Sequence, residues 1–238
     1  MKYSVKRITV AICAVVLLIT FTACGNSQKS VDKKSAETST DLKQIDTNTD
    51  SKPLVVYFSR GINTMREKNV DAVTGASLKA NGDGFYSDEQ VIAEWVAEEV
   101  NGDLFAIKTE KKYPIEYDEI LEVGKQERVK DERPALSSRI ENLNEYQTIY
   151  FVYPNWWGDL PMPVYSFFDA YDLSGKKIVA IIISGGGGFA GTISTIRNLE
   201  PKAEVVEGVE IYKKDMENEK EKIKDKKLKH YFRETNTP

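Results

Sequence analysis

From Leu54 onward the chain alternates short apolar runs with longer stretches in which apolar residues recur every three or four positions. Leu54-Val55-Val56-Tyr57-Phe58 is apolar throughout, the pattern of a strand covered on both faces. Leu104 to Ile107, Thr148 to Val152 and Lys177 to Ile183 are further apolar runs read as strands, and Val205 to Ile211, interrupted by Glu207, Gly208 and Glu210, is expected to be the fifth. Between them, Val91, Ile92, Trp95, Val96 and Val100 share the face of a helix predicted over Asp88 to Val100. Further helices are predicted from Glu116 to Lys130, from Met162 to Ala170 with Pro163 in the first turn where proline is tolerated, from Ala190 to Leu199, and, highly charged, from Asp215 to Phe232. Five strands alternating with helices predict an α/β domain with a doubly wound parallel sheet.

The polar and apolar pattern before Leu54 is different. Lys2, Lys6 and Arg7 precede the 14 residues from Ile8 to Phe21, and small Ala23 precedes Cys24. These are the three regions of a secretory signal in order, and the apolar part is shorter than the ~20 residues a spanning helix needs. Phe21-Thr22-Ala23-Cys24-Gly25 resembles the lipobox of bacterial lipoproteins, which implies cleavage and acylation at Cys24. An ordinary signal peptide with an incidental cysteine is the alternative. From residue 25 to 52 the chain is Ser, Thr, Asp, Lys and Gln with almost no large apolar residue, and is expected to be a disordered tether. Residues 1–24 are therefore expected to be the signal, 25–52 the tether and 53–238 one domain held by lipid at the outer face of the cell membrane.

Charge and cysteine usage narrow the chemistry. A formal net charge of -4 over 238 residues leaves no basic footprint for nucleic acid. The other cysteine, Cys13, lies within the signal. A mature domain would then have no thiol for disulfides, catalysis or metal ligation.

Three strand ends carry the candidate site. The first is followed by Ser59-Arg60-Gly61-Ile62-Asn63-Thr64, of which Ser59, Arg60, Asn63 and Thr64 offer donors to a phosphate. The third runs into Pro154-Asn155-Trp156-Trp157-Gly158-Asp159, and adjacent tryptophans among Gly and Pro suit the walls of a flat aromatic ligand better than a core or a linker. The fourth ends at Ser184-Gly185-Gly186-Gly187-Gly188, where bare backbone can approach a ligand closely. In the strand order 2-1-3-4-5 these three strands are neighbours, and ligands bind at the switch point between the first and third.

With Tyr113-Pro114 and Tyr117 added, these segments resemble the flavodoxin-like family, specifically its extracytoplasmic lipoprotein branch. The resemblance spans nearly all of residues 54–212, and Tyr153-Pro154-Asn155-Trp156-Trp157-Gly158 followed by Pro161-Met162-Pro163 is its most specific part. It implies the five-stranded fold, non-covalent FMN and electron transfer, either as a carrier or as a reductase of a small acceptor such as a quinone. Ser59, Arg60, Asn63 and Thr64 match the phosphate loop, Pro154 to Gly158 the first ring loop and Ser184 to Gly188 the second. One of the two tryptophans is expected to stack on the ring and the other to pack under a helix, while Asp159 is expected to disfavour an anionic reduced flavin.

Two segments depart from the family pattern. Related sequences carry Gly-Asn-Thr before the first helix, where this chain has Ser87-Asp88-Glu89-Gln90. Ser87 and Gln90 read as a capping box, with two carboxylates facing the expected phosphate seat. A non-redox binding lipoprotein with a degenerate phosphate site is therefore the alternative function. The second departure, the insertion from Met65 to Tyr86, contains Asp71-Ala72-Val73-Thr74-Gly75-Ala76-Ser77. It resembles the motif for covalent attachment of FMN, with Ser77 as acceptor; an ordered lid loop is the alternative. A serine hydrolase is disfavoured, because the single histidine, His230, lies on the charged terminal helix and no Gly-x-Ser-x-Gly elbow is present. Outside the glycine loop after the fourth strand, where Gly186 to Gly191 has this spacing, no GxGxxG fingerprint marks a second, nicotinamide site.

Overall fold

The computed structural model describes residues 51–64, 78–81, 84–218 and 220–235. The signal, Cys24, nearly all of the tether and Ser77 lie outside the described residues. The apolar runs become a five-stranded parallel sheet of β1 (Leu54–Phe58), β4 (Asp103–Ile107), β5 (Thr148–Pro154), β6 (Lys177–Ser184) and β7 (Glu204–Tyr212). Its spatial order is β4-β1-β5-β6-β7, which is 2-1-3-4-5 when these five strands are numbered alone. Parallel register aligns Leu54 with Asp103 on one side and Ile149 on the other.

Alternation along each strand divides the core into two layers. Val56, Phe58, Ile149, Phe151 and Ile182 point to the face covered by α2 (Tyr117–Lys130), α3 (Met162–Ala170) and α4 (Thr192–Leu199). Val55, Tyr57, Tyr150, Val152 and Ile181 point to α1 (Asp88–Val100) and the C-terminal helical segments. The predicted helices at 88–100 and 162–170 are found with those bounds, and that at 190–199 begins two residues later.

The terminal helix differs from its prediction. Its described residues run through α5 (Lys213–Asn218), α6 (Lys220–Lys222), a π-helical stretch Ile223–Leu228 and α7 (Lys229–Thr235). The physical reason is in its apolar spacing: Met216, Ile223, Leu228 and Phe232 are all buried, and the five-residue step from Ile223 to Leu228 stays on one face only if that turn is widened. Phe232 packs edge-on against Tyr150 at 5.4 Å. His230, as expected, is exposed, 3.2 Å from Glu234.

Two further features were not predicted. Residues Leu78–Asn81 (β2) and Gly84–Ser87 (β3) form a separate antiparallel hairpin within the expected lid loop, leading directly into α1. At Gly208 the register with β6 slips, so that Ala180 faces Glu207 and Ile181 faces Val209. A Cβ at Gly208 would lie 2.6 Å from the Ala180 carbonyl oxygen, so this bulge is built around the missing side chain.

Candidate functional site

A cavity of about 440 Å³ opens at the carboxyl ends of β1, β5 and β6, within the size range of small-molecule sites. Its walls bring together Arg60 after β1, Pro154, Asn155, Trp156 and Trp157 after β5, and Ser184 and Gly185 at the end of β6. Ser59, Asn63, Thr64, Gly158, Gly186, Gly187 and Gly188 are not among the residues that line it. The cavity also takes in Glu89 of α1, Tyr117, Ile120 and Leu121 of α2, and Lys213 after β7. Among these, Lys213 carries no local sequence signal, since it opens a run of charges; only the ending of β7 beside β6 brings it here.

The tryptophan loop is a mirror-image tight turn. Trp156 and Asp159 exchange both backbone hydrogen bonds at 3.0 Å, and the two central residues, Trp157 (φ 57) and Gly158 (φ 76), have left-handed backbones. Glycine adopts this freely but tryptophan does not. The consequence is a division of labour between neighbours. Trp156 turns inward, edge-on to Phe58 at 5.6 Å and Tyr113 at 5.8 Å, and lies against Gly124 of α2. Trp157 remains 49% exposed at the cavity mouth. With Tyr117, 42% exposed, it gives this one cavity two of the few large apolar side chains exposed among the described residues.

Asn155 fastens this turn to the glycine loop. Its Oδ1 accepts from Gly158 N–H at 2.9 Å, its Nδ2 donates to the Gly188 carbonyl at 3.1 Å, and its backbone N–H donates to Ile183 O at 3.0 Å. Ser184 is turned to the protein: its hydroxyl donates to Glu210 Oε1 at 3.0 Å and accepts from Gly186 N–H at 3.2 Å. Asp159 is also turned away from the cavity. Its carboxylate accepts from Leu160 N–H, Tyr165 and Thr195, at 2.8, 2.9 and 3.1 Å.

The loop after β1 is held just as firmly. Ser59 is fully buried, shares a hydrogen bond with Ser87 and accepts from Gly61 N–H at 3.0 Å. Asn63, also fully buried, donates through Nδ2 to Ser59 O and Ile107 O, both at 2.9 Å. Its Oδ1 accepts from Thr109 N–H at 2.8 Å and Thr109 Oγ1 at 3.1 Å. Thr64 donates to Arg60 O at 2.9 Å. These groups brace β1 against β4 and leave Arg60 as the member of the loop that faces the cavity.

Arg60 and Glu89 are the charged pair at the deep end. Arg60 is 6% exposed and donates to the carbonyls of Ile115 and, at 3.5 Å, Pro114. Its Nε has no hydrogen-bond partner among the described residues. Burial lowers its affinity for a proton, against the raising influence of Tyr117, Glu116 and Glu89. Glu89 is 3% exposed, and its Oε2 has no partner among the described residues. Burial first, and Asp88 beside it, push this carboxyl up to about 7, opposed by Ser87, its own backbone amide and Lys213. Ser87 caps α1 as predicted, accepting from Gln90 N–H at 3.3 Å. No group of residues that could hold a metal ion is found among the described residues.

These residues fit a flavin phosphate of the FMN type. The two indoles and the Gly185 backbone line the cavity, and the orphaned Arg60 Nε offers an anion a buried donor. A protein described as a candidate flavoprotein from Bacteroides uniformis is 25% identical, with a TM-score of 0.52 over 68% of this chain and 90% of its own. A second, from Bacteroides eggerthii, is 24% identical with a TM-score of 0.50 over 70% and 94%. A flavoprotein of Lactobacillus acidophilus crystallised with FMN is 14% identical, with a TM-score of 0.48 over 71% and 97%. No curated protein matches the chain. The family model described as flavodoxin matches residues 86–227, from the hairpin preceding α1 to the π-helical turn near the C-terminus. With its 2-1-3-4-5 sheet and a cavity at the switch point of that sheet, the chain belongs to the flavodoxin family.

Proposed function

We propose that this chain is an FMN-binding redox protein, tethered outside the cytoplasm through a lipid on Cys24, that passes electrons to a protein partner or a small acceptor. The observation that carries the reading is the half-exposed Trp157 ring in a cavity lined also by Trp156, Pro154 and Gly185. Family membership supports FMN as the cofactor.

Bound FMN would supply the electron-transfer chemistry. The chain's own residues bind and orient it. Trp157 offers a face for offset stacking, worth ~0.5 to 1.5 kcal/mol beyond area burial. Trp156, wedged against Phe58, Tyr113 and α2, fixes the depth to which a ring can enter. Asn155 holds the two ring loops at one spacing, and Arg60 with Lys213 supplies positive charge for the phosphate.

Absorbance in the flavin bands of the purified full chain, or its acquisition on adding FMN, tests the reading. A colourless protein that ignores added FMN would refute it and favour the binding-lipoprotein alternative, to which the buried Glu89 carboxyl in the cavity wall gives some support. For the anchor, Cys24→Ser is expected to release the protein from the membrane fraction. Lipid-free mass at Cys24 in the wild-type protein would refute that part alone. A covalent flavin on Ser77 is tested by the mass of the denatured protein.

A further inference from the structure

The deep end of the cavity presents two unsatisfied buried atoms of opposite character. Arg60 Nε is a donor with no partner, and Glu89 Oε2 is a carboxyl oxygen with no partner, both among the described residues. Each side chain is more than nine-tenths buried and each lines the cavity. A phosphate oxygen satisfies Arg60 Nε directly. It satisfies Glu89 only if Glu89 carries a proton, because an ionised carboxylate is an acceptor alone and would meet the phosphate as a buried like charge.

We propose that Glu89 is a specificity-determining residue that makes recognition of the flavin phosphate proton-linked, its neutral carboxyl donating a hydrogen bond to the phosphate beside Arg60. The inference rests on the FMN reading. The balance is simple: where Glu89 is ionised in the free protein, FMN dianion and one proton enter together, and the complex holds Glu89 as the acid. Riboflavin, which has the ring but no phosphate, enters without the proton. FMN is therefore preferred over riboflavin at low pH, and the preference fades as pH rises.

The groups around Glu89 act in both directions. Arg60, a cation facing it from the loop after β1, favours the carboxylate. Burial first, and Asp88 beside it on α1, favour the neutral acid, while Ser87, its own backbone amide and Lys213 after β7 favour the carboxylate, and burial prevails. This places the ionisation of free Glu89 at about 7, close to neutrality, where modest changes in pH alter its charge.

The test is titration of the full chain with FMN and with riboflavin between pH 6.5 and 8.5, for the wild type and Glu89→Gln. In the wild type the FMN Kd is expected to weaken above pH 7 with a slope approaching tenfold per pH unit, as one ionisation demands, while the riboflavin Kd stays level. Glu89→Gln should flatten the FMN profile, since the phosphate's own ionisation, near 6, is complete by then. Calorimetry of the wild type in buffers of different ionisation enthalpy should show uptake approaching one proton per FMN at pH 8. This measurement stands even if Glu89→Gln fails to fold. FMN binding with a flat profile, an equal slope for riboflavin, or no proton uptake overturns the proposal alone. Failure of both flavins to bind at any pH overturns the FMN reading, and the proposal with it.

Discussion

Replacing Asn63 by alanine separates a brace from a ligand. In the structure the side chain satisfies three backbone groups, the carbonyls of Ser59 and Ile107 and the amide of Thr109, at 2.8 to 2.9 Å. Thr109 Oγ1 retains the Lys111 carbonyl at 2.8 Å as a second partner, so it adds little to the loss. Each buried backbone group left without its partner costs ~1 to 3 kcal/mol. Some relaxation of the loop toward water reduces the sum, and a loss of ~4 kcal/mol is expected for Asn63→Ala, a large share of the ~5 to 15 kcal/mol that holds a typical domain folded. Urea unfolding of the flavin-free protein, followed by tryptophan fluorescence and far-UV circular dichroism, measures it. A phosphate ligand would behave in the opposite way, leaving the flavin-free protein nearly unchanged and weakening FMN binding. A stability change below ~1 kcal/mol with selectively weakened FMN binding would refute the brace.

Stability should fall as pH rises from about 4.5 to about 7, because across that window the unfolded chain has released the protons of Glu89 and Glu127 while the folded chain still holds both carboxyls at about 7, through burial foremost. Glu89→Gln or Glu127→Gln should each remove part of that slope in unfolding experiments at pH 5 and pH 8, and an unchanged slope in both variants would contradict the assignment. Gly208→Ala should destabilise by ~2 kcal/mol or more, from the clash with the Ala180 carbonyl and its disruption of β6 and β7, read as a lower denaturant midpoint. Trp157→Ala should leave the midpoint within ~0.5 kcal/mol of wild type while weakening flavin binding, whereas Trp156→Ala should cost ~3 kcal/mol of stability; equal effects on both readouts would remove the distinction drawn between the two rings.

The strands and most helix bounds were legible because they rest on local periodicity, whereas the strand order was legible only through the flavodoxin-like arrangement that the resemblance implied. Val55 and Val56 face opposite layers simply because consecutive residues of a strand do. The pair Leu78–Asn81 and Gly84–Ser87 was not legible, since each strand has only four residues, too few for the alternation in Leu78 to Asn81 to stand out, and its partner is itself. The cavity was found through Trp156, Trp157 and the glycine loop, which carry their chemistry in their composition. Which loop residues face it was harder to read. Ser59, Asn63 and Arg60 are equally polar in sequence, and only the arrival of Ile107, Thr109 and Ser87, brought by β4 and the hairpin, turns two of them inward. The widened turn at Ile223–Leu228 was visible as a five-residue apolar step, a spacing that is easily passed over inside a run of lysines.

Asn155 reaches Gly158 with one end of its amide and Gly188 with the other, across segments more than thirty positions apart in sequence. A side chain of fixed length thereby acts as a gauge between the two loops. A residue inserted or deleted in either loop would pull one amide end off its partner unless the opposite loop changed with it. Descendants of this chain should therefore vary the two loop lengths in step, and grafting only one of them from a relative should spoil the cavity even where every transplanted residue is suited to a flavin.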